Sequence, residues 1–292
     1  MKHGLAVILG SQGHRYLAEI GSEIGPAKSV ETPFGPSAPI HTARAGGLEV
    51  LALCRHGDKG YEVSAPFVNY RANIWALKEM GVERIVAWSG PGAVDRSIPI
   101  GSILVPGDII DETRGRPSTF FEGRGIGFIR QNPAFCPELA QALRASIEAV
   151  QGHCRMGDVY VCTQGPRLET AAEIRKYASF GAGLVGMTLA PEVFLARELE
   201  MCYCPVCYVT NYAEGIADRP YRAGELFEGM LTQDERAKVE SALHKLPHII
   251  LRAFESLPAE RGCQCARSME RYRMRGDIDH DWHTWIGIPE KP

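Results

Sequence analysis

Val159-Tyr-Val-Cys-Thr-Gln-Gly-Pro-Arg-Leu-Glu-Thr170, with Leu184-Val-Gly-Met-Thr188 and Pro205-Val-Cys-Tyr-Val-Thr-Asn211 behind it, decides the fold. Each piece is a short apolar run that breaks into polar residues. Helical patterns over 169–179 and 191–199 lie between them. Runs that are continuous rather than alternating suit strands covered on both faces. Strands taken in turn with helices define an α/β protein with a central, mixed but largely parallel twisted sheet flanked by helices.

The same rhythm runs outward from this stretch. Strands are expected over residues 5–9, 50–54, 84–88, 102–105, 159–162, 184–187 and 206–210. Further helices are expected over 67–80, 137–150 and 233–255. In the first of these, Tyr70, Asn73, Ile74 and Leu77 share one face at helical spacing. Residues 1–257 read as one domain. From 258 to 292 the chain is dense in Arg, Asp and His and poor in aliphatics. That segment reads as a C-terminal extension, either a surface tail or an arm that packs on a neighbouring subunit.

The chain has 292 residues, 45% hydrophobic and 23% charged, enough for one large core. A net charge of -3 gives no electrostatic footprint for nucleic acid. No apolar run reaches the ~20 residues of a membrane span, and the one at the start is too short for a signal peptide. The expectation is a soluble cytoplasmic protein with no nucleic-acid or membrane partner.

Nine cysteines, an odd number, argue against an extracellular disulfide scaffold. Cys54 and Cys162 sit in apolar runs, where a free thiol behaves as a small hydrophobe. Cys202-Tyr-Cys-Pro-Val-Cys207 offers metal ligands on paper, but its apolar continuation favours a buried strand. Cys263 and Cys265 lie outside the apparent core. With His280 and His283 they could bind zinc, yet that spacing is not a zinc-finger spacing, and no metal is expected.

Ligands of open α/β folds bind beyond the carboxyl ends of strands. The loops there carry Ser11, Arg55 and His56, Ser89 and Gly90, and Thr188. Backbone N–H groups, hydroxyls and a guanidinium in four loops on one sheet edge suit a phosphate. Beside them stand the carboxylate of Glu169, the sulfur of Met187 and the carboxamide of Asn211. Each has an ordinary explanation: a helix dipole, core packing, a turn. Together they suit a heterocycle and a sugar next to an anion.

These residues sit in longer motifs: Glu31-Thr-Pro-Phe-Gly-Pro-Ser37, Arg55-His-Gly57, Val68-Asn-Tyr-Arg-Ala-Asn-Ile-Trp-Ala-Leu-Lys78, Gly165-Pro-Arg167, Gly186-Met-Thr188 and Pro191-Glu-Val193. On them, from about residue 4 to 256, the chain resembles the trimeric purine nucleoside phosphorylase superfamily, and most of all its methylthioadenosine phosphorylase branch. The resemblance implies the nucleoside phosphorylase fold and a reversible phosphorolysis that serves purine salvage. Purine nucleoside plus phosphate gives free purine plus ribose 1-phosphate. It implies that Ser11, Arg55, His56, Ser89, Gly90 and Thr188 hold phosphate and that Met187 lies against the ribose. Leu168, Asn211, Tyr212 and Ala213 would line the base pocket, with Glu169 at its far edge. Asn211, Thr188 and Ser11 would serve the reaction itself. It implies no cofactor beyond phosphate as co-substrate, and a homotrimer or a dimer of trimers.

The chain departs from that branch where the base would sit. Methylthioadenosine phosphorylases carry Thr-Asp-Tyr-Asp where this chain has Thr210-Asn-Tyr-Ala213, and a small residue where it has Glu169. Glu with Asn is the pairing of 6-oxopurine phosphorylases. The reason is donor–acceptor matching: hypoxanthine and guanine present N1–H, which a carboxylate accepts, whereas adenine presents a bare N1. Inosine- or guanosine-type substrates are therefore favoured, with methylthioadenosine cleavage and non-catalytic nucleoside binding as alternatives. Residues 162–171 also resemble methylthioinosine phosphorylases. No His occurs between Ala213 and Ala242, and the matching region around Tyr221-Arg-Ala-Gly-Glu-Leu226 leaves hydroxyl or methylthio open at the sugar 5′ position. Two anion loops, Gly10-Ser-Gln-Gly-His14 and Trp88-Ser-Gly-Pro-Gly92, also differ from the family's text. Some archaeal relatives form a disulfide from a C-terminal Cys-x-Cys, a further reading for Cys263 and Cys265.

Overall fold

A computed structural model describes residues 2–219, 222–226 and 231–286. The strands are β1 (Lys2–Leu9), β2 (Glu23–Ile24), β3 (Glu31–Thr32), β4 (Gly35–Pro36), β5 (Ile40–Ala45), β6 (Leu48–Cys54), β7 (Arg84–Ser89), β8 (Gly92–Ala93), β9 (Ile103–Val105), β10 (Asp108–Glu112), β11 (Arg155–Met156), β12 (Val159–Thr163), β13 (Ala182–Gly186), β14 (Cys202–Tyr208) and β15 (Asn211–Tyr212). The helices are α1 (Leu17–Ile20), α2 (Tyr70–Glu79), α3 (Pro137–Gln151), α4 (Ala171–Ser179), α5 (Leu189–Glu198), α6 (Gln233–Ser256) and α7 (Glu270–Arg275).

The α/β architecture is as the sequence implied, mixed and largely parallel, but the strands divide into two main sheets. The larger runs β11-β9-β14-β7-β1-β6-β5-β2, and the smaller runs β10-β12-β13-β8-β15. In the larger sheet β14, β7, β1 and β6 are mutually parallel neighbours. In the smaller one β10, β12 and β13 are. The continuous apolar runs fall on these inner strands: β14 and β7 are buried at every residue. The Cys202–Cys207 segment is thus a buried strand.

Every strand and helix expected from the sequence is present, with shifted ends. Strand 184–187 stops at Gly186, which leaves Met187 outside the sheet. The helix expected from residue 169 begins at Ala171, because Thr170 caps it and shares a reciprocal capping box with Glu173. Glu173 therefore fills the dipole role considered for Glu169. Tyr70, Asn73, Ile74 and Leu77 of α2 are all buried, as their spacing implied. Among the strands missed, β10, with its sequence Asp-Ile-Ile-Asp-Glu, is half-exposed and lacks a continuous apolar run, whereas β8 is buried but only two residues long.

The extension proves to be no appendage. Its described residues Met269, Tyr272, Ile278, Trp285 and Ile286 belong to the main core cluster. Trp282 packs edge-on against Trp75 of α2, with ring centroids 4.6 Å apart. His283 Nε2 lies 2.9 Å from Glu79 and Nδ1 2.7 Å from Asp281. Ser268 Oγ donates to the Arg197 carbonyl at 2.6 Å. His283 is thereby engaged by carboxylates, and the ligand cluster that holds Cys263 and Cys265 contains neither histidine, so the four-ligand set with the two histidines does not assemble. Residues 287–292 lie outside the described part, as does Tyr221. No described helix is long and apolar enough to cross a membrane.

Candidate active site

Parallel strands end on one side, so the loops that follow them converge. Gly10 and Ser11 follow β1, and Arg55 and His56 follow β6. Ser89 ends β7, Thr163 ends β12, Met187 and Thr188 follow β13, and Asn211 begins β15 just beyond β14. These loops surround a cavity of about 520 Å³, a size that suits a small organic ligand. Ser11, Arg55, His56, Ser89, Gly90, Leu168, Glu169, Met187, Thr188, Asn211 and Ala213 all line it.

Tyr212 is the exception among the residues named from sequence. It does not line the cavity. Successive residues of a strand point to opposite faces, so Asn211 and Ala213 face the cavity while Tyr212 turns its side chain toward the core. What Tyr212 supplies is its carbonyl, which accepts from Asn211 Nδ2 at 2.8 Å.

Arg55 is fully buried beneath the anion loops. Its Nη1 donates to Glu192 Oε1 at 2.6 Å and its Nη2 to the Trp88 carbonyl at 2.9 Å. Tyr203 donates to the other Glu192 oxygen at 2.7 Å. Burial opposes the guanidinium charge, but the Glu192 carboxylate overrides it and holds Arg55 protonated, its pKa above the ordinary value. Its Nε has no partner among the described residues. A buried donor left unpaired costs ~1–3 kcal/mol. Glu192 therefore neutralises most of the guanidinium charge and fixes the position of Arg55 beneath the anion loops.

His56 is held differently. Burial, and then the Arg55 charge beside it, push its pKa down to about 4, so it is neutral near pH 7. Its Nδ1 lies 2.8 Å from the Val63 carbonyl, which places the proton on Nδ1 and leaves Nε2 as an acceptor. Ser89 Oγ is 3.1 Å from the buried Tyr160 hydroxyl. Thr188 precedes α5 without capping it by its side chain.

At the other end of the cavity, Thr163 Oγ1 donates to Glu169 Oε1 in a short hydrogen bond. Thr210 Oγ1 lies 2.6 Å from Asn211 Oδ1. That contact and the bond to Tyr212 orient the carboxamide with its nitrogen as donor. One Nδ2 hydrogen serves the Tyr212 carbonyl, and the second is left over. Gly165 shows why the Gly-Pro turn is needed. Its φ is +63, and a Cβ there would stand 2.5 Å from Met187 Sδ.

Sequence reasoning missed several participants. Tyr160, Tyr61, Glu214 and Leu226 also line the cavity. Arg116 braces two of its walls from behind. Its Nη1 donates to the carbonyls of Met187 and Ala190, both at 2.8 Å, and its Nη2 to that of Gln164 at 2.6 Å. No local signal marked Arg116, which lies in an irregular stretch. Glu192 stood within Pro191-Glu-Val193, but only the fold brings it to Arg55.

The fold and the cavity together define a nucleoside-phosphorylase type of α/β protein. Residues 5–253 match the family model described as Phosphorylase superfamily. A probable S-methyl-5'-thioinosine phosphorylase of Methanothermobacter thermautotrophicus is 40% identical over 262 residues, covering 90% of this chain and 88% of that protein. A 6-oxopurine nucleoside phosphorylase of Pyrococcus furiosus is 38% identical over 273 residues, covering 91% and 97%. The crystal structure of a methylthioadenosine phosphorylase from an antarctic soil metagenomic library superposes with a TM-score of 0.79 at 27% identity, covering 91% of each chain. The chain belongs to the phosphorylase superfamily, on its purine nucleoside and methylthioadenosine phosphorylase side.

Proposed function

We propose that the protein catalyses the phosphorolysis of 6-oxopurine nucleosides, of the inosine, guanosine or 5′-methylthioinosine type. The products are the free purine and the matching ribose 1-phosphate. The observation that carries this reading is one cavity with an anion-binding end at Ser11, Arg55, His56, Ser89, Gly90 and Thr188 and a base-matching end at Glu169 and Asn211.

The chemistry follows from those groups. The bond from C1′ to N9 breaks, its electron pair leaves with the purine, a phosphate oxygen bonds to C1′, and the proton that hydrogen phosphate gives up neutralises the departing purine. Phosphate held over Arg55 stabilises the ribosyl cation as it forms. His56 Nε2, an acceptor, suits the remaining O–H of hydrogen phosphate. The spare Asn211 hydrogen is placed to donate to N7 as charge accumulates there. A preorganised donor of that kind lowers the barrier by ~3–4 kcal/mol. The Glu169 oxygen not taken by Thr163 suits N1–H of a 6-oxopurine. Among the described residues at the cavity, Tyr61 and Leu226 are exposed apolar side chains. An apolar 5′ substituent such as methylthio would suit them if the sugar's 5′ end lies on that side of the cavity. The relatives' names support the same class: one is a probable methylthioinosine phosphorylase, another a 6-oxopurine nucleoside phosphorylase. We further propose, from the resemblance, a cytoplasmic homotrimer acting in purine salvage without an organic cofactor.

The test is base release from inosine, guanosine, adenosine, methylthioinosine and methylthioadenosine, each with and without phosphate. The expected result is phosphate-dependent release of hypoxanthine or guanine. Cleavage of the adenine nucleosides alone refutes the base assignment. Release without phosphate refutes phosphorolysis, and binding without turnover leaves a nucleoside-binding protein.

A further inference from the structure

Four cysteines that are remote in sequence meet where the extension joins the body. Cys136 immediately precedes α3, Cys202 opens β14, and Cys263 and Cys265 bracket the start of a short 3-10 turn, Gln264–Arg267. Their four Sγ atoms all lie within 4.8 Å of one another. Cys136, Cys202 and Cys265 are buried and Cys263 is half-buried. A cysteine that serves as a small hydrophobe has no reason to seek three others. The Cys202 and Cys263 sulfurs are 3.3 Å apart. That is well beyond a bonded S–S pair at ~2.05 Å. It is near the ~3.8 Å edge of a thiolate tetrahedron around zinc at ~2.3 Å.

We propose that Cys136, Cys202, Cys263 and Cys265 form a closed tetrahedral thiolate site for a structural zinc ion. Four protein ligands leave no open coordination position, the hallmark of structural rather than catalytic zinc. Thiolate donors select zinc over harder cations such as magnesium. The surroundings help carry the charge. A thiolate next to the N-terminus of the 15-residue helix α3 gains from the helix dipole. The loop that brings Cys263 is fixed by other groups. Arg84 Nη2 donates to the Pro258 carbonyl at 2.9 Å. Glu138 Oε2 accepts from the backbone N–H groups of Gly262 and Cys263, at 3.1 and 3.3 Å. Supports of this kind orient metal ligands before the metal arrives.

Two ligands come from the body and two from the extension, so one ion would clip the two parts together. None of the four cysteines lines the cavity at the strand ends. The site is independent of the proposed phosphorolysis, and its failure would leave that reading untouched.

The test starts from full-length protein made in a reducing cytosol and purified with a phosphine reductant and without metal-affinity media. Zinc is counted by elemental mass spectrometry, before and after equilibration with free zinc. The expected value is one zinc per chain, set free by a mercurial thiol reagent and captured by a chromogenic chelator. Exchange for cobalt should produce a thiolate-to-cobalt charge-transfer band with tetrahedral d–d bands. The Cys263→Ser, Cys265→Ser double variant should lose the metal and melt at a lower temperature, with phosphorolysis at ambient temperature unchanged. Cys54→Ser should retain it. The wild-type cobalt spectrum stands as the readout should the double variant fail to fold. Reduced protein that retains no zinc after equilibration overturns the proposal, and so does a cobalt spectrum without thiolate charge transfer.

Discussion

Replacing Glu169 by Gln turns the base-matching argument into a measurement. Thr163 Oγ1 donates to Glu169 Oε1, and its other acceptor among the described residues, the Gly186 carbonyl, is 3.3 Å away. In Glu169→Gln the side-chain oxygen stays with Thr163, and the amide nitrogen takes the place of the second carboxylate oxygen. The base then meets a donor where it had met an acceptor. For a 6-oxopurine the N1–H loses a charge-assisted partner, a loss of ~1.5–3 kcal/mol. At about 1.36 kcal/mol per decade, kcat/KM for inosine should fall ~10- to 150-fold. Adenosine gains a donor opposite its bare N1, so its kcat/KM should hold or rise. Glu169→Ala serves as companion: it removes the acceptor without adding a donor, so inosine falls and adenosine is unchanged. The assay is the initial rate of base release, followed by chromatography at saturating phosphate over a range of nucleoside concentrations. Inosine kinetics in Glu169→Gln within about threefold of the parent, less than half a decade, would mean that Glu169 does not read N1.

Glu192→Ala should cost ~3–5 kcal/mol in urea unfolding, because it strands a fully buried guanidinium; a loss of under ~1 kcal/mol would refute the pairing as a structural element. Gly165→Ala places a Cβ on Met187 Sδ at a left-handed φ and should raise KM for nucleoside while KM for phosphate holds, so equal changes in both would refute the geometry. His56 sets an acid limb of stability. Its folded pKa of about 4 lies below the ordinary 6.5, so below pH 6.5 the unfolded chain takes up a proton that the folded chain does not. The contribution is fully present above 6.5 and is lost progressively down to about pH 4, a total of roughly 3 kcal/mol. His56→Asn should flatten that limb of the urea midpoint against pH, and an unchanged slope would count against neutral burial.

The sequence made the frame legible because its evidence is local. Continuous apolar runs such as that of β14 mark strands covered on both faces, and loops after parallel strands gather on one side. The loops that line the cavity are therefore visible in the sequence as strand ends. The failures have a physical pattern. Tyr212 was placed in the base pocket with its neighbours, although strand alternation turns it away. Glu169 was weighed as a helix-opening acid, yet Thr170 and Glu173 do that work. Arg116, Glu192 and Tyr203 act across the fold from distant segments, and no spacing rule joins residue 55 to residue 192. The four-cysteine cluster hid for the same reason. Its members come from the irregular stretch before α3, a buried strand and a polar extension, and the one local pair, Cys263 and Cys265, suggested the wrong partners.

The burial of Trp285, Tyr272 and Met269 in the principal core bears on how the chain is made. During synthesis the amino-terminal strands emerge first, and a domain of this kind begins to condense behind them. Here the side of Trp75 that Trp282 covers stays open until residue 282 has been translated, although Phe34 and Phe120 already pack on the same ring. A ribosome that stops early, or a reading frame that ends at the last long helix, would release a nearly complete protein with an open apolar seam. The polar look of residues 258–286 conceals that they cover an apolar seam of the fold.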